Sequence, residues 1–495
     1  MYKKVASNTI AQIFSKVVTA IIAIFLISIL TNYLSLWMYG LYTKIYNYIW
    51  IFVFLADLWL YAISIREISN NKKDSAKIVW NVMTLRFILW IFILFLSVAI
   101  AFFIPWYNSL VALLAIFIAS IFTILQLLNS SILALMQANM KVEFSAVSLI
   151  LWKIINLWLI ALIAYFFYPK ELIDNYFDPF LYIMFAWVIS VWINTLLNYF
   201  YARKIVKFWF AFDWWYIKHL FKISLPYGIA LFLSVVYFKV DVILLSILEW
   251  PDLWDKSIAL YSLPMKIVEV IMVLGWFYMT SILPSLTKSF KDNATKKLKE
   301  ILDISFKVLF WFASIIFVLG VLFRDYLVLI IANKDYLITD HIYNSSDAFL
   351  IVMWVVLFYF ISLVFIYSLV ASENQNKLLK INIIITIFNI IWNIILIPKY
   401  SFIWAWITTL LSQIFLFILG FYYTKKIVSF RLPYLFIIKT IIFSSVILLL
   451  GFFVLNNYSI NLYFDFFVYW FSFFILFLLY FLFTFRWLIK NNLHK

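Results

Sequence analysis

The 495-residue chain contains no cysteine. That absence excludes disulfides, thiolate-ligated metals and thiol catalysis together. Histidine is scarce as well. His219, His341 and His494 lie far apart, each in a polar segment, which argues against a histidine-built metal or catalytic centre. Charged residues make up only 12% of the chain, about half the usual share, while 67% is hydrophobic against about 45–50% in soluble proteins. A soluble chain of this composition could not cover its own surface with polar groups. The bilayer is the solvent that suits it. The fold class is therefore all-α, a polytopic membrane protein, because an apolar run must satisfy its backbone internally.

Glycine is also rare, at six residues, whereas tryptophan reaches 23. Membrane helices ordinarily carry more glycine than soluble ones, since small residues let helices approach closely. Interfacial belts enrich tryptophan. Yet Trp50, Trp90, Trp158, Trp311 and Trp392 fall inside apolar runs, and Trp250 and Trp254 occupy the polar turn Glu249-Trp250-Pro251-Asp252-Leu253-Trp254-Asp255, where glycine is the natural residue. Glycine and tryptophan together amount to an ordinary glycine content. The pattern predicts that many of these tryptophans are glycine in the native protein, as in a genetic code that reads UGA as glycine.

A membrane span needs about 20 apolar residues. Fourteen runs qualify: 8–32, 40–64, 77–104, 108–138, 142–168, 177–203, 219–248, 256–285, 300–323, 344–371, 377–397, 401–424, 433–455 and 462–488. Pro105 and Asn108 mark the short turn between the third and fourth. The first run is too long for a signal-peptide core and no small-residue cleavage motif follows it, so it is read as helix one. No loop is long enough for a soluble domain.

The net charge of +16 would suggest nucleic acid in a soluble protein. Here the positive-inside rule accounts for it, and no nucleic-acid partner is expected. With the N-terminus placed inside, the inner connections take most of the Lys and Arg, and the outer ones hold only Lys170, Lys256, Arg324, Lys334 and Lys399. Both termini are then cytoplasmic.

Helix one compares with helix seven. Leu26-Ile27-Ser28-Ile29-Leu30 matches Leu244-Leu245-Ser246-Ile247-Leu248, and Gly40-Leu41-Tyr42-Thr43 matches Ala259-Leu260-Tyr261-Ser262. Such a repeat relates spans 1–6 to spans 7–12 in the same orientation, the parallel arrangement of two-lobed transporters with the substrate path between lobes. The expected organisation is a six-helix lobe over 1–210, a second over 211–430, and two additional helices over 431–495.

Ionisable residues inside spans are costly and mark cavities or partners. Lys44, Lys307 and Lys439 lie near span ends, where snorkelling explains them as well as function does. Lys16, Asp57, Lys153, Lys239, Asp241, Lys266 and Glu269 are deeper, with Arg86 also within a run. Lys266 and Glu269, three apart, share a helix face and are expected to pair. Lys239 and Asp241, two apart, do not. These groups either fix helix packing as ion pairs or line a cavity. The cations outnumber the acids. A cavity for cationic drugs would concentrate carboxylates, whereas one for pyrophosphate would concentrate Lys and Arg.

Asn8-Thr9-Ile10-Ala11-Gln12, Leu34-Ser35-Leu36-Trp37-Met38-Tyr39-Gly40-Leu41-Tyr42, Leu55-Ala56-Asp57-Leu58-Trp59 and Arg66-Glu67-Ile68-Ser69 resemble the start of polysaccharide flippases of the multidrug/oligosaccharidyl-lipid/polysaccharide exporter superfamily. Ser224-Leu225-Pro226, Asp241 and Leu283-Pro284-Ser285-Leu286 are similar too. Family patterns usually have glycine where this chain has Trp37 and Trp59. The resemblance implies a non-enzymatic flippase of the cytoplasmic membrane. It would move undecaprenyl-pyrophosphate-linked oligosaccharide by alternating access, for surface polysaccharide biosynthesis, without a cofactor or metal. Its cationic cavity carries over to Lys16, Lys153, Lys239 and Lys266, with Arg86 beside them. Asp57, Asp241 and Glu269 would tune the site or couple to H⁺ or Na⁺. Two alternatives stay open: a cation-coupled multidrug antiporter of the same superfamily, and a membrane glycan polymerase or ligase.

Overall fold

The computed structural model describes residues 2–57, 60–104, 107–139, 141, 143–168, 178–207, 211–249 and 253–492, with side chains at all of these except 2–13, 54–55, 62, 226–238, 254 and 485–492. The Trp250-Pro251-Asp252 turn, Pro105, Leu58-Trp59 and the side chains of Asn8 to Gln12 therefore lie outside the described residues. Among the described residues every regular element is helical. Contacts divide the chain into two compact units, residues 1–262 and 263–495.

The first unit holds α1 (Tyr2–Tyr33), α2 (Leu36–Asp57), α3 (Leu60–Asn70), α4 (Ser75–Phe103), α5 (Leu110–Ala138), α6 (Glu143–Leu162), α7 (Asp178–Ala202), α8 (Trp214–Leu248) and the first turns of α9 (Trp254–Lys291). The second holds the rest of α9, then α10 (Thr295–Leu322), α11 (Arg324–Ile331), α12 (Ser345–Ala371), α13 (Gln375–Tyr400), α14 (Phe402–Val428), α15 (Tyr434–Tyr458), α16 (Leu462–Phe464) and α17 (Trp470–Asn492).

Twelve helical segments among the described residues are long and apolar enough to cross a membrane. The other two expected runs, 40–64 and 219–248, fall on α2 and α8, helices of 22 and 35 residues that are not among the twelve. The run 40–64 also takes in the start of α3, with Leu58 and Trp59 outside the described residues. Tyr39, Tyr42, Lys44, Tyr46, Asn47 and Tyr48 dilute the apolar character of α2, and nearly all of them are buried, so the helix is clothed by protein. Lipid-type exposure shows elsewhere, as at Phe95, Phe103 and Leu449, each more than 70% exposed.

The same packing scheme recurs in both units. In the first, α5 lies on α7, α6 on α7 and α4 on α5. In the second, α12 lies on α14, α13 on α14 and α10 on α12. A buried polar clamp recurs with it. Asn156 Nδ2 on α6 donates to Ser190 Oγ on α7 at 2.8 Å, and Asn389 Nδ2 on α13 donates to Ser412 Oγ on α14 at 3.5 Å. A side chain of this kind, facing a neighbour rather than lipid, ties helices together where the hydrophobic effect cannot. Helices α15 and α17 pack on α10 around Trp311, Phe323, Ile447 and Phe477.

Ser109, Asp213, Asn344 and Asn461 cap the starts of α5, α8, α12 and α16, satisfying orphan N–H groups there. Asn344 and Asp347 form a reciprocal capping box at α12. Four corners next to helix ends adopt left-handed backbone on residues with a Cβ: Asn293 (φ 50°), Glu373 (59°), Ser401 (61°) and Ser429 (52°).

Candidate functional site

Lys16 and Lys153 sit on adjacent helices of the first unit, because α1 packs on α6. Lys16 is exposed, and its carbonyl accepts from Thr19 Oγ1 at 3.1 Å. Lys153 is half-buried. Its ammonium lies 4.5 Å from the ring centroid of Trp152 and 4.9 Å from that of Trp187, the geometry of a cation held over two aromatic faces.

Arg86 is fully enclosed. It donates to the Leu127 carbonyl and to Ser131 Oγ, each at 2.6 Å, and forms an ion pair with Asp57. These contacts join α2, α4 and α5. A bidentate fork suits such a task better than an ammonium.

Lys239 is half-buried, and Asp241, fully buried, accepts from Tyr261 Oη on α9 at 2.9 Å. In the second unit Lys266 Nζ meets Glu269 Oε2 at 3.2 Å, the expected one-turn pair, with side chains 16% and 36% exposed.

Two interhelical pairs escaped sequence reasoning, Arg86–Asp57 and that of Lys44. Lys44, for which snorkelling and function had equal weight, is 1% exposed and meets Asp255 at 2.8 Å. Its ammonium also lies 5.4 Å from the Tyr107 ring, whose hydroxyl meets Ser246 Oγ at 2.9 Å. Burial pushes the Tyr107 phenol far above its ordinary value. Gly40 makes the pair attainable. A Cβ there would fall 1.8 Å from the Asp255 carbonyl oxygen, so only glycine lets α2 reach the start of α9. Gly40 and Lys44, four apart on one helix face, were the available signal.

Among the described residues no three His, Cys, Asp or Glu side chains gather into a group that could hold a metal ion. Long apolar helices that enclose paired charges and polar clamps define a polytopic membrane protein. The chain belongs to the polysaccharide biosynthesis protein family, whose model matches residues 5–290, within the multidrug/oligosaccharidyl-lipid/polysaccharide exporter superfamily. A second family model, MatE, matches residues 226–395.

The fold is similar to that of the lipid II flippase MurJ in an inward closed conformation, with a TM-score of 0.74 and 17% identity over 98% of this chain and 100% of that one. It is also similar to an outward-facing multidrug resistance transporter of the MATE family (TM-score 0.59, 13% identity, 85% of this chain and 95% of that one). A superfamily transporter from Pyrococcus furiosus gives a TM-score of 0.55 at 10% identity, over 85% of this chain and 95% of that one. No curated protein matches the chain in sequence.

Proposed function

We propose that this transporter flips a polyprenyl-pyrophosphate-linked oligosaccharide across the cytoplasmic membrane by alternating access, for surface polysaccharide biosynthesis. The observation that carries the reading is the charge balance within the helices. Of the deep acids read from the sequence, Asp57 is engaged by Arg86, Asp241 by Tyr261 and Glu269 by Lys266. At those deep positions the chain sets Lys16, Arg86, Lys153, Lys239 and Lys266 against Asp57, Asp241 and Glu269, an excess of positive charge that suits a pyrophosphate and opposes a cationic drug. Lys16, Lys153, Lys239 and Lys266 are assigned to the pyrophosphate. Arg86, enclosed by Asp57, Leu127 and Ser131, is assigned to holding its helices in place. Asp241 and Glu269 are the acids through which H⁺ or Na⁺ would act.

Protein reconstituted in liposomes with a fluorescent undecaprenyl-pyrophosphate oligosaccharide tests this. Lys239→Ala and Lys266→Ala should leave insertion intact and abolish translocation, whereas Lys→Arg at either position should retain part of it. Were Lys266 only a packing residue, Lys266→Ala would lower protein abundance and Glu269→Gln would restore it. Normal translocation by a stable Lys239→Ala, Lys266→Ala double variant removes the assignment. Extrusion of a cationic dye under an ion gradient, without lipid-linked glycan transport, would favour the antiporter instead.

A further inference from the structure

A groove of about 460 Å³ opens on the first unit between α4, α5 and α7. That volume is within the roughly 300–1,000 Å³ of small-molecule sites. Met83, Phe87, Leu128, Ile132 and Leu196 form its walls. Its two threonine hydroxyls are already engaged: Thr84 Oγ1 donates to the Trp80 carbonyl at 2.9 Å, and Thr195 Oγ1 to the Val191 carbonyl at 2.8 Å. The surface offered to a ligand is therefore carbon. Ile132 belongs to a packed core that also contains Val79, Val82 and Leu135, with Met83 and Tyr199 resting against it, so the floor is firm.

One end of the groove is cationic. Tyr199 lines it, and the Arg203 guanidinium lies over that ring, 5.8 Å from the centroid. Lys204 follows over Tyr201 at 5.1 Å, and Lys207 stands one turn beyond. All three are exposed and lie past the last residue of α7, Ala202. On the acidic side, Asp213 is held by Lys77 at 2.8 Å, and Glu143 opens α6 beside Phe144, which stacks on Tyr201 at 3.9 Å. Positive charge dominates the mouth.

An apolar slot along membrane helices with guanidinium and ammonium groups at its end is complementary to an amphiphile, one chain in the slot and an anionic head at the mouth. We propose that the groove is a binding site for an anionic phospholipid, with an acyl chain against Phe87, Leu128 and Leu196 and the phosphate at Arg203 and Lys204. The groove lining includes none of Lys16, Lys153, Lys239 and Lys266, nor Trp152 and Trp187, whose rings hold Lys153. Trp80 lines the groove too, and glycine there would only widen it.

Native mass spectrometry of the full-length protein in detergent tests the site, with phosphatidylglycerol, phosphatidylcholine and a polyprenyl phosphate each offered at low salt. With two cations at the mouth, phosphatidylglycerol should bind about 30-fold more tightly than phosphatidylcholine. Arg203→Ala with Lys204→Ala should bring it down to the phosphatidylcholine level. Leu196→Trp should fill the slot and remove both lipids. Should that variant fail to fold, shortening the acyl chains offered to the unaltered protein must weaken binding. Equal retention of the two phospholipids, preference for the polyprenyl phosphate, full competition by inorganic phosphate, or insensitivity to the charge substitutions would each overturn the proposal.

Discussion

Lys44 on α2 and Asp255 in the first turn of α9 form an ion pair of 2.8 Å in which neither side chain is more than 3% exposed. Removal of one partner strands a buried charge at a cost of about 3–5 kcal/mol, while replacing both by apolar residues of similar size is often neutral. Thermal unfolding in detergent should therefore show a large loss for Lys44→Met and for Asp255→Leu alone, and much of it restored in the double variant. Gly40→Ala acts on the same contact by sterics and should destabilise by about 1–3 kcal/mol, with no change of charge. Additive losses in the Lys44, Asp255 cycle would show that the two residues are not coupled.

Topology can be read with single cysteines, since the chain has none of its own. Ala294 lies in the connection expected to be cytoplasmic, and Ile338, 79% exposed, in the one expected to be external. In sealed cells a membrane-impermeant maleimide should label Ile338→Cys and spare Ala294→Cys. The reverse pattern would invert the whole chain in the membrane.

How much the sequence discloses depends on whether a contact is local. The apolar runs give the long helices because lipid leaves the backbone no alternative. The Lys266–Glu269 pair follows from a spacing of three. Lys44–Asp255 and Arg86–Asp57 were not legible, because each joins different helices and nothing local names the partner. Lys44 near a span end has two good solutions, headgroup water or a buried carboxylate, and only the approach allowed by Gly40 decides between them.

His341 offers a prediction in pH. It lies outside the membrane-crossing helices. Its Nδ1 accepts from the Tyr343 N–H at 3.1 Å and its Nε2 meets Ser401 Oγ at 3.1 Å, against the Phe402 ring. Burial pushes its pKa below the ordinary 6.5. A histidine that stays neutral when folded contributes stability that is complete above the unfolded value and declines as pH falls from there through the folded value. The melting temperature should thus drop below pH 6.5 in the native protein, and that component of the drop should disappear in His341→Asn. A rise in stability on acidification would contradict the assignment.

The tryptophans call for a chemical measurement. Trp90 Nε1 reaches the Ser120 carbonyl at 2.8 Å and Trp311 Nε1 the Phe477 carbonyl at 3.2 Å, so these two rings are accommodated. Trp158 and Trp392 are 60% and 41% exposed, and Trp152 is buried with an indole N–H that has no hydrogen-bond partner. Peptide mass spectrometry of protein from its native cell should find glycine at many of these positions, Trp250 and Trp254 included. Tryptophan at both would end the recoding idea.

The four left-handed corners at Asn293, Glu373, Ser401 and Ser429 have a practical corollary. None is a tryptophan, so however that codon is read, each corner retains a side chain where backbone geometry favours none. Every such residue forgoes about 1–2 kcal/mol relative to glycine, less for asparagine. The protein thus has unused thermal headroom at these corners. Glu373→Gly, at the turn between α12 and α13, is a single edit that would help the protein withstand purification, with no helix interior disturbed.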